Sequence, residues 1–416
     1  MQTKKSTISY LSQVALIVGG VLVVALILLF TVFSKTKIYL TVDPANAVVT
    51  LDNKPLIITD GKVNASAKIG QHILKVEADD YIGFKEQISL GRGRNFSKTI
   101  SLVGAPKPTV IADGAKFITL SGNQIFYQNQ SDKIIYRSNF GLDSSGGITI
   151  NSTTPISVPI AGTPDLIWSP TRDLLVLKRG TTATLFDFKK YDFLNQKETP
   201  LSSDVGDVVF APDNSRIAYV YQPAGGERSI IFTDLGGGNV FRAANLKSLN
   251  IFDPQISFSP DSQWLSIVPR NQSFGENKIY LMNVYTKEVR LIDSDGDQKS
   301  AKFSPDSQKI IFSTFVAGQK NFDLSVINLD GTNKKKLNAS GDASQLKSFD
   351  LGGKIFLPSS SGSGKMGMYD VNTGASLDYF FKLDSAKITE IALTENRNGV
   401  FFVSDGKLYF VTLKSN

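Results

Sequence analysis

The feature that most constrains this chain is a turn that recurs. An aromatic residue followed by a small residue, proline and a turn former appears as Trp168-Ser169-Pro170-Thr171, Phe210-Ala211-Pro212-Asp213, Phe258-Ser259-Pro260-Asp261 and Phe303-Ser304-Pro305-Asp306. The spacing falls in the roughly 40–50-residue range of propeller blades and related arrays. Proline pre-sets the first central φ of a type I turn and Asp favours the same turn, so a short inner strand doubles back into the next one. The next strands follow at once, as in Arg216-Ile217-Ala218-Tyr219-Val220 and Lys309-Ile310-Ile311-Phe312-Ser313.

A third strand closes each unit. Its copies are Ile134–Arg137, Ala183–Phe186, Ile230–Thr233, Ile279–Met282, Leu324–Ile327, Met366–Tyr369 and Leu408–Val411. Seven copies imply seven blades, with six and eight as the neighbouring counts. Turns such as Asp330-Gly331-Thr332-Asn333 and Asn372-Thr373-Gly374 lead into a fourth, outer strand, and four antiparallel strands at this period make a propeller blade. The Ser-Pro-Asp turns and the Asp-Gly-Thr-Asn hairpin look like the TolB-like repeat of periplasmic and secreted propellers. The Gly usual after the turn Asp is here Asn214, Ser262 and Ser307, and the blades around Gly122, Gly352 and Asn396 have lost the motif. The propeller is expected over residues 107–416. Its last blade lacks an outer strand, whereas Pro108–Ala112 lies upstream with no partner, so this segment is expected to pair with the final strand and staple the ring, with Val110 and Ile111 carrying the contact.

Residues 1–13 form a short N-terminus before the run from Val14 to Phe33, which is uncharged over about the 20 residues that span a bilayer. A cleaved signal peptide has a shorter apolar region and a small-x-small cleavage site; here the run ends in Phe33-Ser34-Lys35. The expectation is one transmembrane α-helix over 14–33, a signal anchor with the C-terminal domains outside the cytoplasm. Lys4 and Lys5 before the span and Lys35 and Lys37 after it leave the charge rule nearly balanced.

Between anchor and propeller, residues 37–103 read as short strands at Tyr39–Val42, Val48–Leu51, His72–Val76 and Lys98–Leu102. Asp43-Pro44-Ala45-Asn46 and Asp52-Asn53 supply turns, with Asn46 suited to positive φ. The segment resembles a PEGA domain, a small β-sandwich common on cell-surface proteins. Pro44-Ala45-Asn46-Ala47 stands at the signature, Gly70-Gln71-His72 at a later turn into a strand, and Asp80-Tyr81 at the family's Gly-Tyr. The resemblance implies a structural or adhesive module. The fold class is therefore all-β, a sandwich plus a propeller behind one helix.

Composition narrows the chemistry. There is no Cys, which removes disulfides, thiolate metal sites and Cys nucleophiles. The single His, His72, argues against Ser-His-Asp triads and multi-His metal centres and reads as an ordinary strand residue. No cofactor or metal is expected. The net charge of +7 is spread along the chain without a nucleic-acid motif, so no nucleic-acid partner is expected.

Acidic residues recur just before the inner strands, at Asp165, Asp207, Asp253, Asp297, Asp342 and Asp384. A carboxylate ring at the channel mouth would hold a cation or a polar ligand, but their irregular spacing to the strands suits turn chemistry better. Asp293-Ser294-Asp295-Gly296-Asp297 departs from the EF-hand pattern and reads as an inter-blade loop. Ser359–Lys365 lacks the residues and context of a phosphate loop. The function expected is a non-enzymatic envelope protein, anchored in the membrane, whose propeller binds a protein or glycan. The alternative is a carboxylate-dependent glycan hydrolase or lyase, whose paired Asp/Glu chemistry needs neither His nor Cys.

Overall fold

The computed structural model describes residues 35–416 except 93, 144–146, 163, 181–185, 271–276, 316–321, 341–346, 349–353, 359–364, 372–375, 383–387, 396–398 and 413–416. The expected transmembrane helix over 14–33 lies outside these residues, as do Asp342, Asp384, Gly352, Asn396, the Asn372-Thr373-Gly374 turn and most of Ser359–Lys365. Among the described residues no helix is long and apolar enough to cross a membrane. The chain divides into two compact units between Ala105 and Pro106.

In the first unit, two four-stranded sheets enclose one core. Strand Lys35–Asp43 alternates exposed and buried residues, with Ile38, Leu40 and Val42 at 0%, 2% and 3% exposure. It pairs antiparallel with Lys62–Lys68 and parallel with Phe96–Ser101. The second sheet runs Lys54–Leu56, Val48–Leu51, Gly70–Glu77 and Phe84–Leu90. The four strands expected here are present, and Lys54–Leu56, Ile58–Thr59, Lys62–Lys68 and Phe84–Leu90 add to them. Asp52 and Asn53 take φ of 51° and 63°, the positive pair of a two-residue hairpin. Asn46 does not; that turn closes through the Ala47 N–H on the Pro44 carbonyl at 3.1 Å. Gly104 and Ala105 are not free linker, because Gly104 bridges to Tyr81 and the Ala105 N–H reaches the Asp80 carbonyl at 2.7 Å.

His72 holds two partners. Its Nδ1 lies 2.6 Å from Asp52 Oδ2 and its Nε2 lies 2.7 Å from the Lys68 carbonyl. The Asp52 hydrogen bond raises the imidazole from its ordinary 6.5, while the Ile73 N–H and then His72 lower the carboxyl from 3.8.

Among the described residues the second unit holds seven four-stranded sheets, each a blade of a β-propeller. Blades 1 to 6 cover residues 115–155, 165–200, 205–245, 255–293, 297–340 and 347–382, each in sequential strand order. The first strands of neighbouring blades pack together between blades 2 and 3, 3 and 4, 4 and 5, 6 and 7, and 7 and 1. In blade 2 the third strand is described over Phe186–Asp192, and the first three residues of the expected Ala183–Phe186 lie outside the described residues.

Blade 7 is built from both ends of the unit. Ile388–Leu393, Gly399–Ser404 and Lys407–Thr412 are completed by Thr109–Asp113, which pairs antiparallel with the last of them. This is the expected staple. The register runs Lys407 to Asp113, Leu408 to Ala112 and Tyr409 to Val110, so a bulge leaves Ile111 as the extra residue. Ile111 and Ala112 pack on the core shared by blades 7 and 1, whereas Val110 is 50% exposed. Contrary to the sequence expectation, Val110 therefore adds little. In that core Phe401 sits 5.0 Å from Phe140 of blade 1 and 4.9 Å from Phe410. Gly399 is required here, since a Cβ would lie 2.4 Å from the Phe410 ring.

Replacing Ile111 with Ser is expected to cost about 1–2 kcal/mol of propeller stability by denaturant unfolding, and Val110→Ser less than half of that. Equal costs would mean that the bulge does not direct Ile111 inward. For the first unit, the raised His72 value favours folding below 6.5 and loses its effect as pH rises through that elevated value; lowered Asp52 favours folding above 3.8 and loses its effect as pH falls through its depressed value. Hydrogen-exchange protection of Gly70–Glu77 should therefore exceed that of His72→Gln most near pH 5, with the gap narrowing toward pH 8. A pH-independent gap would exclude this pair as the cause.

Candidate functional site

The Ser-Pro-Asp turns are built by their side chains. Ser169, Ser259 and Ser304 are buried, and their hydroxyls accept the N–H of Leu174, Trp264 and Lys309 at 3.0, 2.9 and 2.9 Å. The same hydroxyls donate to Asp173, Asp261 and Asp306 at 2.8, 2.5 and 2.5 Å. Arg172, Asn214, Ser262 and Ser307 occupy the left-handed position, with φ between 57° and 63°. Two of these also join blades. Ser262 Oγ accepts the Asp213 N–H at 3.0 Å and Ser307 Oγ accepts the Asp261 N–H at 3.0 Å. Glycine would suit the backbone there but would lack the bond.

At the opposite end of the inner strands, the four described acidic candidates stand at different levels. Asp165 and Asp207 lie three residues before the turn aromatics Trp168 and Phe210, Asp253 five before Phe258, and Asp297 six before Phe303. Asp165 is exposed, opposite Lys178 in its hairpin. Asp253 has a φ of 38°, and its carbonyl accepts the Arg270 N–H at 3.2 Å. Asp297, 2% exposed, takes the Asn277 amide at 2.5 Å and the Lys299 ammonium at 2.8 Å. The Asp293–Asp297 stretch joins blades 4 and 5, and Lys334 lies 2.7 Å from Asp293 and 3.4 Å from Asp295.

Asp207 is the most connected of them. It accepts the Ile256 N–H of blade 4 at 3.0 Å and sits 3.2 Å from Arg270 and 3.7 Å from Lys178 of blade 2. Burial pushes its carboxyl up from the ordinary aspartate value, and Lys178 and Arg270 pull it back. One carboxylate thus ties three blades. Glu390, which sequence reasoning passed over, does the same work in blade 7 by accepting the Phe117 and Ile118 N–H groups of blade 1 at 2.6 and 2.7 Å. Its signal is position: like Asp207 it lies three residues before the end of its inner strand and directly after a bulge. Among the described residues no cluster of His, Asp or Glu is arranged to hold a metal ion.

Two open spaces lie on the turn end, where the hairpins between first and second strands and between third and fourth strands of each blade converge. Between blades 1 and 2 a cavity of about 600 Å³ is lined by Arg137, Arg172, Lys190, Phe193 and Asp173. Among the described residues Arg172 donates to carbonyls: Ser169 at 2.6 Å, Pro170 at 3.0 Å and Leu120 of blade 1 at 2.6 Å. Burial pushes its guanidinium down from the ordinary arginine value. The Nε atoms of Arg172 and Arg137 and the Nε1 of Trp168 behind them are buried without an acceptor among the described residues. The two carboxylates at this cavity are already engaged, Asp173 by Ser169 and Asp192 by the Leu194 and Asn195 N–H groups. Trp168 is held rigid between Phe126 at 5.4 Å and Phe193 at 5.6 Å. A second cavity of about 380 Å³ lies between blades 3 and 4 at the same end.

No protein-family model matches the chain, and no curated protein does. Solved structures similar to it include hydrazine synthase of Kuenenia stuttgartiensis, at TM-score 0.49 and 13% identity over 74% of this chain and 98% of that one. An oligogalacturonate lyase from Vibrio parahaemolyticus gives 0.48 and 11% over 75% and 98%. TolB from Acinetobacter baumannii gives 0.39 and 18% over 76% and 80%.

Asp207→Asn should destabilise the propeller by about 2 kcal/mol in denaturant unfolding, because it removes the carboxylate that faces the half-buried Lys178 and Arg270. Asp165→Asn at the equivalent position of blade 2 should stay within about 0.5 kcal/mol. A comparable loss from both would assign Asp165 a structural tie as well.

Proposed function

We propose that this chain is a non-enzymatic envelope protein that presents the turn end of its propeller as a binding face for a protein or glycan partner. In this reading residues 14–33 anchor it in the membrane with the remainder outside the cytoplasm. Residues 37–103 act as a PEGA-like spacer, and the TolB-like propeller supplies the recognition surface. A propeller fold does not choose a ligand, so the reading rests on the site. The observation that carries it is the blade 1–blade 2 cavity, where cationic donors converge while the adjacent carboxylates are taken up by turns. Cationic side chains lining an open cavity favour a ligand that brings its own acceptors. Of the acidic residues at the other end, Asp207 and Asp297 are held by structural partners, which weakens the hydrolase or lyase alternative.

Affinity capture with the full chain in detergent, against envelope protein and glycan fractions, tests this. The full chain should retain a component that Arg137→Gln retains about tenfold less well, the scale of one lost charged contact. Retention of nothing, or equal retention by the variant, would overturn the reading.

A further inference from the structure

The second turn-end cavity, between blades 3 and 4, has its own chemistry. Arg216 leaves the first hairpin of blade 3, and Lys287 sits in the outer hairpin of blade 4 with a φ of 66°. That hairpin is set by Asn283, whose side-chain oxygen accepts the Tyr285 and Thr286 N–H groups at 2.9 Å each. Both cations lie over one ring, Phe232: Lys287 at 4.9 Å and Arg216 at 5.7 Å from its centroid. Two like charges are thereby brought together. Burial and then Arg216 hold the Lys287 ammonium below its ordinary 10.5. Their hydrogen bonds go to neutral oxygens, Lys287 to the Val284 carbonyl and Arg216 Nε to Ser215 Oγ at 3.2 Å. Neither forms an ion pair among the described residues, although the Asp213 carboxyl, held below its ordinary value against burial by its bonds to Ser215, also feels the Arg216 charge. Asp234 also lines the cavity, but its carboxylate takes the Gly238 N–H at 2.7 Å and the Asn239 amide at 2.9 Å.

Beside the cations lies an exposed aromatic rim. Tyr285 is 63% exposed and Phe241 50%, with Val240 at 65% next to it. Arg216 is 5.9 Å from the Tyr285 ring and Lys287 is 5.3 Å from Phe241, so each cation shares a flat ring with solvent. A converging cation pair that forms no ion pair among the described residues can take an anion, and flat exposed rings call for a ligand with an apolar face. An inorganic anion satisfies only the first demand. A sugar ring bearing a carboxylate satisfies both.

We propose that the blade 3–blade 4 cavity is a binding site for an acidic saccharide, its carboxylate held between Arg216 and Lys287 and its ring lying on Tyr285 and Phe241. This rests on the reading of the turn end as a binding face and names its ligand class.

Titration calorimetry of the full chain in detergent with a glucuronate-bearing tetrasaccharide tests it. Binding should fall about tenfold in Lys287→Gln and in Arg216→Gln, fall similarly when the tetrasaccharide is methyl-esterified, and weaken as salt is raised. Tyr285→Ala should lose binding and Tyr285→Phe should restore it, which separates ring stacking from the phenol. Unchanged melting of each variant confirms that the fold is intact. No binding of the tetrasaccharide, equal binding by the Arg216→Gln/Lys287→Gln double variant, or complete displacement by millimolar phosphate would overturn the proposal, as would binding of anionic lipid vesicles with none of the tetrasaccharide. Capture of an envelope component through Arg137 without tetrasaccharide binding would sink this site and leave the binding-face reading standing. Tetrasaccharide binding with no envelope capture would do the reverse for the Arg137 cavity.

Discussion

A sheet has two edges, and a ring of sheets is stable only if the chain finds a way to close it. In this propeller the closure is made by backbone hydrogen bonds between Thr109–Asp113 and Lys407–Thr412, two segments at opposite ends of the unit. Blade 7, which packs on blades 6 and 1, has its fourth strand only through that junction. The bulge at Ile111 and the Phe140–Phe401–Phe410 cluster give the junction an apolar interior besides its ladder.

Smaller ties hold the blades at both ends of the inner strands. At the turn end, Ser262 and Ser307 bond the preceding blade's turn, and Glu395 accepts the Gly122 N–H at 2.6 Å between blades 7 and 1. At the other end, Asp207 and Glu390 accept the inner-strand N–H groups of the next blade. A carboxylate in this role brings burial cost as well as bonds, which is why Asp207 has cations on two sides. At that end Asp207 and Glu390 are thereby structural. The turn end, where hairpins of adjacent blades leave gaps, holds the cations Arg137, Arg172, Arg216 and Lys287 beside those gaps.

Function follows from this division of labour. Strand positions are occupied by packing and ladder bonds, so freedom to present chemistry remains in the hairpins. Arg137, Arg172, Arg216 and Lys287 all border spaces between blades, and aromatic rings from the same elements lie beside them.

The recurring turn, the seven third strands and the unpartnered segment near Val110 made the propeller and its closure legible from residue pattern alone, because turn chemistry and period 2 are local properties. The sandwich was legible in part: Lys62–Lys68 escaped notice because it fully buries only Val63. Which carboxylates mattered was not legible. Asp165 and Asp207 hold the same position relative to the turn, yet one is exposed and the other buried between blades, a difference set by Lys178 and Arg270 from neighbouring sheets. The cation–aromatic cavities were equally hidden, since Arg216 and Lys287 are separated by 70 positions and meet only where two blades pack. Periodicity by itself determined the architecture; the tertiary structure decided the chemistry, because charge is neutralised or left free by neighbours distant in sequence.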